Sequence, residues 1–195
     1  MKTWTLGSKV YHEDPLEFLT RIPQGSVDMV IIRDIHGADA YLAEDLARCC
    51  KPDVHIYRFL PSLDIYPQMR TTWDRPPFFL RKMPLIWNRE VSPARRGGWA
   101  NSYSPILLVE GSAPRRPNGS PKNLLKGSYE ALIEQLIRVS TRVGDVILDL
   151  ACGEGESGLV CLRKDRRFIL IEEDKEKCIR ANQRIELAIK GKRQP

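Results

Sequence analysis

The sequence predicts an α/β fold in the form of a doubly wound, mainly parallel sheet. Short apolar segments with strand character alternate with segments of helical periodicity, a pattern typical of parallel sheets covered by helices. A glycine-rich turn, DLACGEGESG at Asp149–Gly158, joins two of these apolar segments and is followed by an acidic residue. The chain contains no run of 18 or more apolar residues, so we expect no membrane span.

The N-terminal part alternates strands and helices. Apolar, β-branched runs predict strands, whereas apolar residues repeating every three to four positions predict helices. We expect strands at Lys9–His12, Val27–Ile32 and Val54–Leu60, and helices at Pro15–Arg21 and Ala40–Cys50. The Lys51-Pro52 pair is expected to end the second helix, because proline disfavours helix continuation.

The middle of the chain is rich in proline, arginine and aromatic residues. Met83–Trp87 and Ile106–Val109 are predicted to form an antiparallel strand pair separated by a long loop. Gly111–Lys126 has the composition of a mobile linker.

Positive charge is concentrated in this middle segment. Residues 61–128 contain eleven basic and four acidic residues, whereas the rest of the chain contains 20 basic and 21 acidic residues. Such a surface suits contact with a phosphate backbone, although a solvated arginine-rich loop is the alternative interpretation. The candidate nucleic-acid contacts are Arg70, Arg75, Arg81, Lys82, Arg95, Arg96, Arg115, Arg116, Trp73 and Trp99.

Regular alternation returns after Ser128. A helix is outlined by Ala131, Leu132, Gln135, Leu136 and Val139, and is followed by predicted elements at Val146–Leu150 (strand), Gly158–Lys164 (helix), Phe168–Asp174 (strand) and Asp174–Lys190 (helix). Ligands of such sheets bind at the carboxyl ends of the strands. We therefore expect Asp34, which follows the Val27–Ile32 strand, to lie at the same edge as the glycine turn.

The glycine turn has the spacing of a nucleotide-binding loop. Gly153, Gly155 and Gly158 form a G-x-G-x-x-G pattern, and Glu172 follows the first glycine by about 20 residues. The glycines allow close approach of the backbone to a ligand, and the acid can hold ribose hydroxyls. An ordinary tight turn between a strand and a helix is the alternative.

Acidic residues at this loop narrow the choice of ligand. Asp149, Glu154 and Glu156 would repel the diphosphate that a dinucleotide presents to a helix N-terminus. S-adenosylmethionine has no phosphate and carries a sulfonium cation, so the loop suits this cofactor better. Alternatively, Glu154 and Glu156 only stabilise the first turn of the helix.

Cysteine and histidine usage predicts neither a disulfide framework nor a metal site. The five cysteines include no C-x-x-C pair, and the three histidines are scattered. The N-terminal MKTWTLGSK also lacks the apolar stretch of a signal peptide. These observations together favour a reducing cytoplasm.

The segment YEALIEQLIRVSTRVGDVILDLACGEGESG…RRFILIEEDKEKC resembles the C-terminal half of the β-class DNA amino-methyltransferases. In that permuted class the catalytic D-P-P-Y motif precedes the cofactor loop along the chain. The stretch DPLEFLTRIPQGSVDMVIIRDIHG resembles the family's approach to that motif. The resemblance implies a Rossmann-like methyltransferase fold, S-adenosylmethionine as cofactor and DNA as partner. It assigns cofactor binding to Asp149, Ala151, Gly153, Gly155 and Glu172, and the catalytic motif to Asp34, Ile35, His36 and Gly37.

Both motifs depart from the family pattern. The cofactor motif D-P-F-x-G-x-G has Leu150 and Ala151 at its Pro and Phe, which is expected to weaken cofactor binding. D-I-H-G replaces D-P-P-Y, so the carboxylate remains but the rigid turn and the ring that stacks on a flipped base are lost. Stacking of this kind contributes about 1–3 kcal/mol. We therefore expect methyl transfer to be impaired or lost.

Three functions remain open at this stage. The first is a DNA-binding methyltransferase-like pseudoenzyme. The second is an active adenine-N6 or cytosine-N4 methyltransferase with an atypical loop, and the third is a protein-interaction or regulatory module that kept only the scaffold. We expect one domain over residues 1–195, with residues 61–127 as a basic recognition-type insertion, and a homodimer is an alternative to a monomer.

Overall fold

The computed structural model describes residues 8–33, 35, 39–60, 66–81, 83–88 and 103–192. In these ranges the chain forms nine strands in a single mixed sheet, together with six helices. The strands are β1 (Lys9–Tyr11), β2 (Val27–Ile32), β3 (Cys50–Phe59), β4 (Phe79–Leu80), β5 (Leu85–Asn88), β6 (Tyr103–Glu110), β7 (Leu124–Lys126), β8 (Val146–Asp149) and β9 (Arg167–Ile171). The helices are α1 (Pro15–Leu19), α2 (Asp39–Cys49), α3 (Tyr66–Trp73), α4 (Tyr129–Ser140), α5 (Glu156–Arg163) and α6 (Lys175–Lys192).

The sheet order is β1-β9-β8-β2-β3-β6-β5-β7, and β4 pairs with β6. The five strands from β1 to β3 are parallel, whereas β6 is antiparallel to both β3 and β5. The chain moves outward from β2 to β3 in one direction and from β8 to β9 in the other. The crevice between the carboxyl ends of β2 and β8 is therefore the topological switch point, where open α/β sheets bind ligands.

Helices cover both faces of the sheet, which confirms the doubly wound α/β prediction. Successive residues of β2 point to opposite faces, so Val30 and Ile32 join one core cluster and Met29 and Ile31 join the other. Helices α1, α2 and α3 pack over the first cluster, and α4, α5 and α6 pack over the second. The predicted antiparallel pair is also present, as β5 and β6.

Strand β3 begins four residues earlier than expected. Cys50 pairs with Val27 of β2, and the register then shifts before Met29 pairs with His55. Pro52 lies in this irregular stretch, where a missing backbone donor is tolerated. Helix α2 therefore runs directly into β3, and the Lys51-Pro52 pair is part of the strand.

Residues 111–126, expected to be a mobile linker, are largely exposed but are hydrogen-bonded to the sheet and to α4 at several points. The Gly111 amide donates to the carbonyl of Val54 at 3.0 Å, and the Asn118 amide donates to the carbonyl of Val139 at 2.8 Å. The segment then ends in β7, which pairs with β5. We call residues 111–126 the amino-edge segment.

No helix within the described ranges has both the length and the apolar composition required to cross a membrane.

Candidate functional site

The glycine loop lies at the carboxyl end of β8, beside the crevice at the switch point. Gly153 and Gly155 have φ angles of 60° and 81°, in the left-handed region that favours glycine. Gly155 is the N-cap of α5 and supplies no side chain to cap it. A Cβ at Gly155 would lie 3.1 Å from the Cβ of Ala181 on α6, so the loop also needs glycine for close packing.

Asp149 is buried at the base of the loop and holds its shape. Its Oδ2 accepts a hydrogen bond from the Ser157 hydroxyl at 2.6 Å, and its Oδ1 accepts one from the Ala151 amide at 3.2 Å. Burial raises the pKa of the Asp149 carboxyl above its usual value, while the positive charge of Arg33 opposes this rise. Asp149 therefore shapes the turn by connecting the strand end to the first turn of α5.

Glu172 follows β9 and reaches across to the same loop. Its Oε2 accepts a hydrogen bond from the Gly153 amide at 2.7 Å, and its Oε1 accepts one from the Asp174 amide at 3.0 Å. A carboxylate has about four lone-pair sites, so acceptor capacity remains for hydroxyls of a ligand. The structure thus brings Gly153 and Glu172 together, as the sequence pattern led us to expect.

Arg33 is a residue of this site that the sequence analysis did not single out. It follows β2 directly, and its Nη2 lies 3.3 Å from the carbonyl oxygen of Ala151. Its guanidinium carbon lies 4.3 Å from the ring centroid of Tyr129, within the range of a cation–π contact. A Cβ at Gly153 would lie 2.9 Å from this Nη2, so a side chain at this position would displace the end of the arginine. Its place between β2 and the expected catalytic Asp34 was the signal available in the sequence.

These groups border a cavity of about 400 Å³ in the crevice. Its lining includes Arg33, Ile35, Ala151, Gly153, Glu172 and Asp174. The cavity is therefore bordered by carboxylates on the β9 side and by a guanidinium on the β2 side.

Of the four residues of the D-I-H-G motif, the structure describes Ile35. The Ile35 carbonyl accepts a hydrogen bond from Nη2 of Arg58, a residue of β3 that is 1% exposed. Asp34, His36 and Gly37 lie outside the described residues. Arg58 was not expected at this site, because the contact depends on the pairing of β2 with β3 and not on sequence spacing.

The candidate nucleic-acid contacts fall in different environments. Arg70, Arg75 and Arg116 are exposed, and the Nη2 of exposed Arg81 lies 3.0 Å from Oε1 of Glu110. Lys82, Arg95, Arg96 and Trp99 lie outside the described residues.

Two of these candidates require correction. Trp73 is 0% exposed and packs with its ring centroid 6.0 Å from that of Phe78, so it has no free face for a base. Arg115 lies at the amino edge of the sheet, opposite the crevice, where its guanidinium bonds to Asp53 at 2.7 Å and also to Asp145. In both cases the contacts that the side chain makes in the folded chain contradict the nucleic-acid contact that the composition of its segment predicted.

A larger cavity of about 900 Å³ lies between β3, β6 and α4, away from the glycine loop. At its wall the Ser140 hydroxyl lies 2.5 Å from the Tyr57 hydroxyl and 2.9 Å from Nδ1 of His55. Burial lowers the pKa of His55 and raises that of Tyr57 to about 12, so both side chains are uncharged at neutral pH. This hydrogen-bonded chain links β3 to α4 and contains no group from the glycine loop.

Comparison with known proteins gives matches in the C-terminal part of the chain. Residues 129–183 match the N6_N4_Mtase family model, described as DNA methylase. The Type II methyltransferase M2.DpnII of Streptococcus pneumoniae is 40% identical over 88 residues. That alignment covers 45% of this chain and 29% of the relative, so the chain matches under a third of the relative's length.

The fold is similar to those of solved methyltransferase structures over nearly all of the chain. A complex of M1.HpyAVI with SAM has a TM-score of 0.76 at 23% identity, covering 90% of this chain and 97% of that one. The cytosine-N4-specific PvuII DNA methyltransferase has a TM-score of 0.74 at 16% identity, covering 94% and 92%. At these identities the similarity establishes the fold.

Proposed function

From the match of residues 129–183 to the DNA methylase family, we propose that this chain is a DNA-methyltransferase-like protein. It binds DNA and S-adenosylmethionine, and its methyl transfer is impaired or lost. One observation carries the last part of the proposal: the Ile35 carbonyl of the D-I-H-G motif is already bonded to the buried guanidinium of Arg58.

The crevice has the features that S-adenosylmethionine requires. Glu172 is fixed beside the glycine loop with acceptor capacity for ribose hydroxyls, and Gly153, with its left-handed backbone, lines the cavity. The neighbouring carboxylates suit a ligand with a sulfonium and an ammonium group better than a diphosphate. The cofactor supplies the methyl group when bound. Ala151, in place of the family's phenylalanine, leaves the methyl donor without an aromatic neighbour in the loop.

Arginines beside the catalytic motif oppose methyl transfer. Methylation of an exocyclic amine requires acceptors for its hydrogens, and the attacking nitrogen gains positive charge in the transition state. The Arg58 guanidinium on the Ile35 carbonyl weakens that carbonyl as an acceptor, and its positive charge disfavours the developing cation. Misplacement of a reacting group by about 1 Å can by itself reduce the rate about a hundredfold.

A methyl-transfer assay with labelled S-adenosylmethionine and mixed-sequence DNA tests the enzymatic part of the proposal. We expect little or no label in DNA with the wild type. The triple variant Ile35→Pro, His36→Pro, Gly37→Tyr restores D-P-P-Y and is expected to transfer more. Asp34→Ala in this variant is the matched control and should abolish the gain. Efficient transfer by the wild type that is lost in Asp34→Ala would instead support the active enzyme with an atypical loop, the candidate favoured by the retained carboxylate.

We propose DNA binding from the positive charge of residues 61–127. We also propose that these residues are a recognition-type insertion, and that residues 1–195 form a single cytoplasmic domain. Filter binding across a salt series should give a steep negative slope of log affinity against log salt. Exposed Arg70 and Arg75 are expected to contribute to this slope, and their replacement by Gln should reduce it. A flat salt response, together with no binding of S-adenosylmethionine, would favour the scaffold-only interaction module. Sedimentation at several concentrations tests the proposed homodimer.

A further inference from the structure

The crevice that carries the proposed cofactor site contains a fixed positive charge. Arg33 lines the 400 Å³ cavity together with Gly153 and Glu172. Its guanidinium is protonated at any physiological pH. S-adenosylmethionine bound in this cavity would bring its sulfonium cation into the same cavity as this guanidinium.

Contacts on two sides hold the arginine in the crevice. It bonds to the Ala151 carbonyl at 3.3 Å and lies over the Tyr129 ring, with 4.3 Å between guanidinium carbon and ring centroid. Moving the side chain away would forfeit both contacts. We therefore expect Arg33 to remain beside the glycine loop when a ligand enters.

The other charges of the crevice are distributed unevenly around Arg33. Asp149 and Glu172 accept hydrogen bonds from groups of the loop and of Ser157, and both carboxylates are buried. The other acids, Glu173 and Asp174, are exposed, as is Lys177, the second cation of the lining. Exposed charges are screened by solvent, so half-buried Arg33 acts more strongly on a ligand than these three.

We propose that the charge of Arg33 offsets the attraction of the crevice carboxylates for a sulfonium, and so shifts the relative affinity from S-adenosylmethionine towards the neutral thioether S-adenosylhomocysteine. This inference rests on the proposed function, because it assumes that adenosyl ligands bind at the glycine loop. The two ligands share the adenosine, the ammonium and the carboxylate, and differ by one methyl group and one positive charge. A nearby guanidinium therefore acts on the difference between them, whatever it does to their shared groups.

The expected effect is a change in the ratio of two dissociation constants. Like charges several ångströms apart in a half-buried site repel by an amount that corresponds to about a fivefold to tenfold change in relative affinity. Loss of the Ala151 and Tyr129 contacts in a variant would weaken both ligands together and cancel in the ratio.

Isothermal calorimetry on the full chain measures both dissociation constants for the wild type and four variants. Arg33→Met and Arg33→Gln remove the charge, and Arg33→Lys keeps it. Arg163→Met is the matched control, because Arg163 lies on α5 and pairs with Glu130 away from the cavity. Thermal unfolding establishes that each variant is folded. We expect both neutral variants to shift the ratio about fivefold or more towards S-adenosylmethionine, with Arg33→Lys and Arg163→Met near the wild-type ratio.

The outcomes separate this inference from the proposed function. Binding of both ligands with the same ratio in wild type, Arg33→Met and Arg33→Gln would overturn the role of Arg33 and leave the proposed cofactor site standing. A shift towards S-adenosylhomocysteine in the neutral variants would overturn it as well. Absence of binding by either ligand to the wild type and to every variant would overturn the proposed cofactor site, and the inference with it.

Discussion

Gly158 lies where α5 packs against β9 and α6. A Cβ at this position would lie 2.7 Å from Cδ1 of Leu170 and 2.8 Å from Cδ1 of Ile185. Both neighbours are buried and have little room to move, so an added methyl group overpacks the core.

We predict that Gly158→Ala destabilises the chain by roughly 1–2 kcal/mol, because overpacking outweighs the better helix propensity of alanine. The free energy of unfolding from urea titration checks this value. Gly191→Ala in α6 is the control, since a Cβ there meets nothing within 4 Å. Equal stability of wild type and Gly158→Ala would show that α5 can shift away from β9.

His55 should make stability depend on pH. Burial lowers the pKa of His55 in the folded chain, so the unfolded chain binds a proton more readily. Its stabilising contribution is complete above the unfolded pKa of about 6.5 and is lost as the pH falls below that value. We predict that the wild type loses more free energy of unfolding between pH 7.5 and 5.5 than His55→Gln does, by up to about 1 kcal/mol. Parallel pH profiles for the two proteins would contradict this.

At the scale of residues, the sequence located the loop but not its arginines. Gly153 and Glu172 follow their strands at fixed spacing, so local pattern was enough to expect them together. Arg33 and Arg58 reach the site through the pairing of β2 with its neighbours, which residue spacing does not encode. The prediction for Trp73 was wrong because it rested on the basic and aromatic composition of its segment. That part of the chain folds into α3, which turns the indole into the core.

Among the elements, the amino-edge segment contributes one side chain, Arg115, that bonds to acids of three neighbouring strand ends. Arg115 bonds to Asp53 at 2.7 Å, lies 3.5 Å from Oδ1 of Asp28 and also bonds to Asp145. These acids belong to the amino ends of β3, β2 and β8. Asp28 is 1% exposed, and its Oδ2 accepts from the Val146 amide, so loss of the arginine leaves a buried carboxylate with less compensation.

We predict that Arg115→Met destabilises the chain by about 2–3 kcal/mol and leaves DNA affinity unchanged. Chemical denaturation and filter binding of the same preparation provide the two values. Neighbouring Arg116 is exposed, so Arg116→Met serves as the control and should have little effect on stability. A drop in DNA affinity with unchanged stability would restore the original expectation that Arg115 contacts phosphate.

Elements with an apolar run or helical periodicity could be predicted, including the short β1 and α1, whereas α3, β4 and β7 were not. The bounds of β2 agree with the prediction, since five of its six buried residues are apolar. Strands β4 and β7, with two and three residues, depend on pairing with β6 and β5 and carry little pattern of their own. The start of β3 was missed because Pro52 suggested a break, whereas an irregular register accommodates it.

For the whole molecule, the fold forms a crevice at the switch point, where we propose that S-adenosylmethionine binds. Arg33 lines this crevice together with carboxylates, and buried Arg58 bonds to the Ile35 carbonyl at its border. We propose that the two arginines act on different steps, Arg33 on donor binding and Arg58 on methyl transfer. We therefore expect the chain to bind S-adenosylmethionine more readily than it transfers the methyl group.

The most direct test is an isotope-partition measurement. The chain is loaded with labelled S-adenosylmethionine and mixed with excess DNA and unlabelled donor, and the fate of the bound label is followed. Our account predicts that nearly all of the bound label leaves as unreacted S-adenosylmethionine. Recovery of most of the bound label as methyl groups in DNA would contradict it.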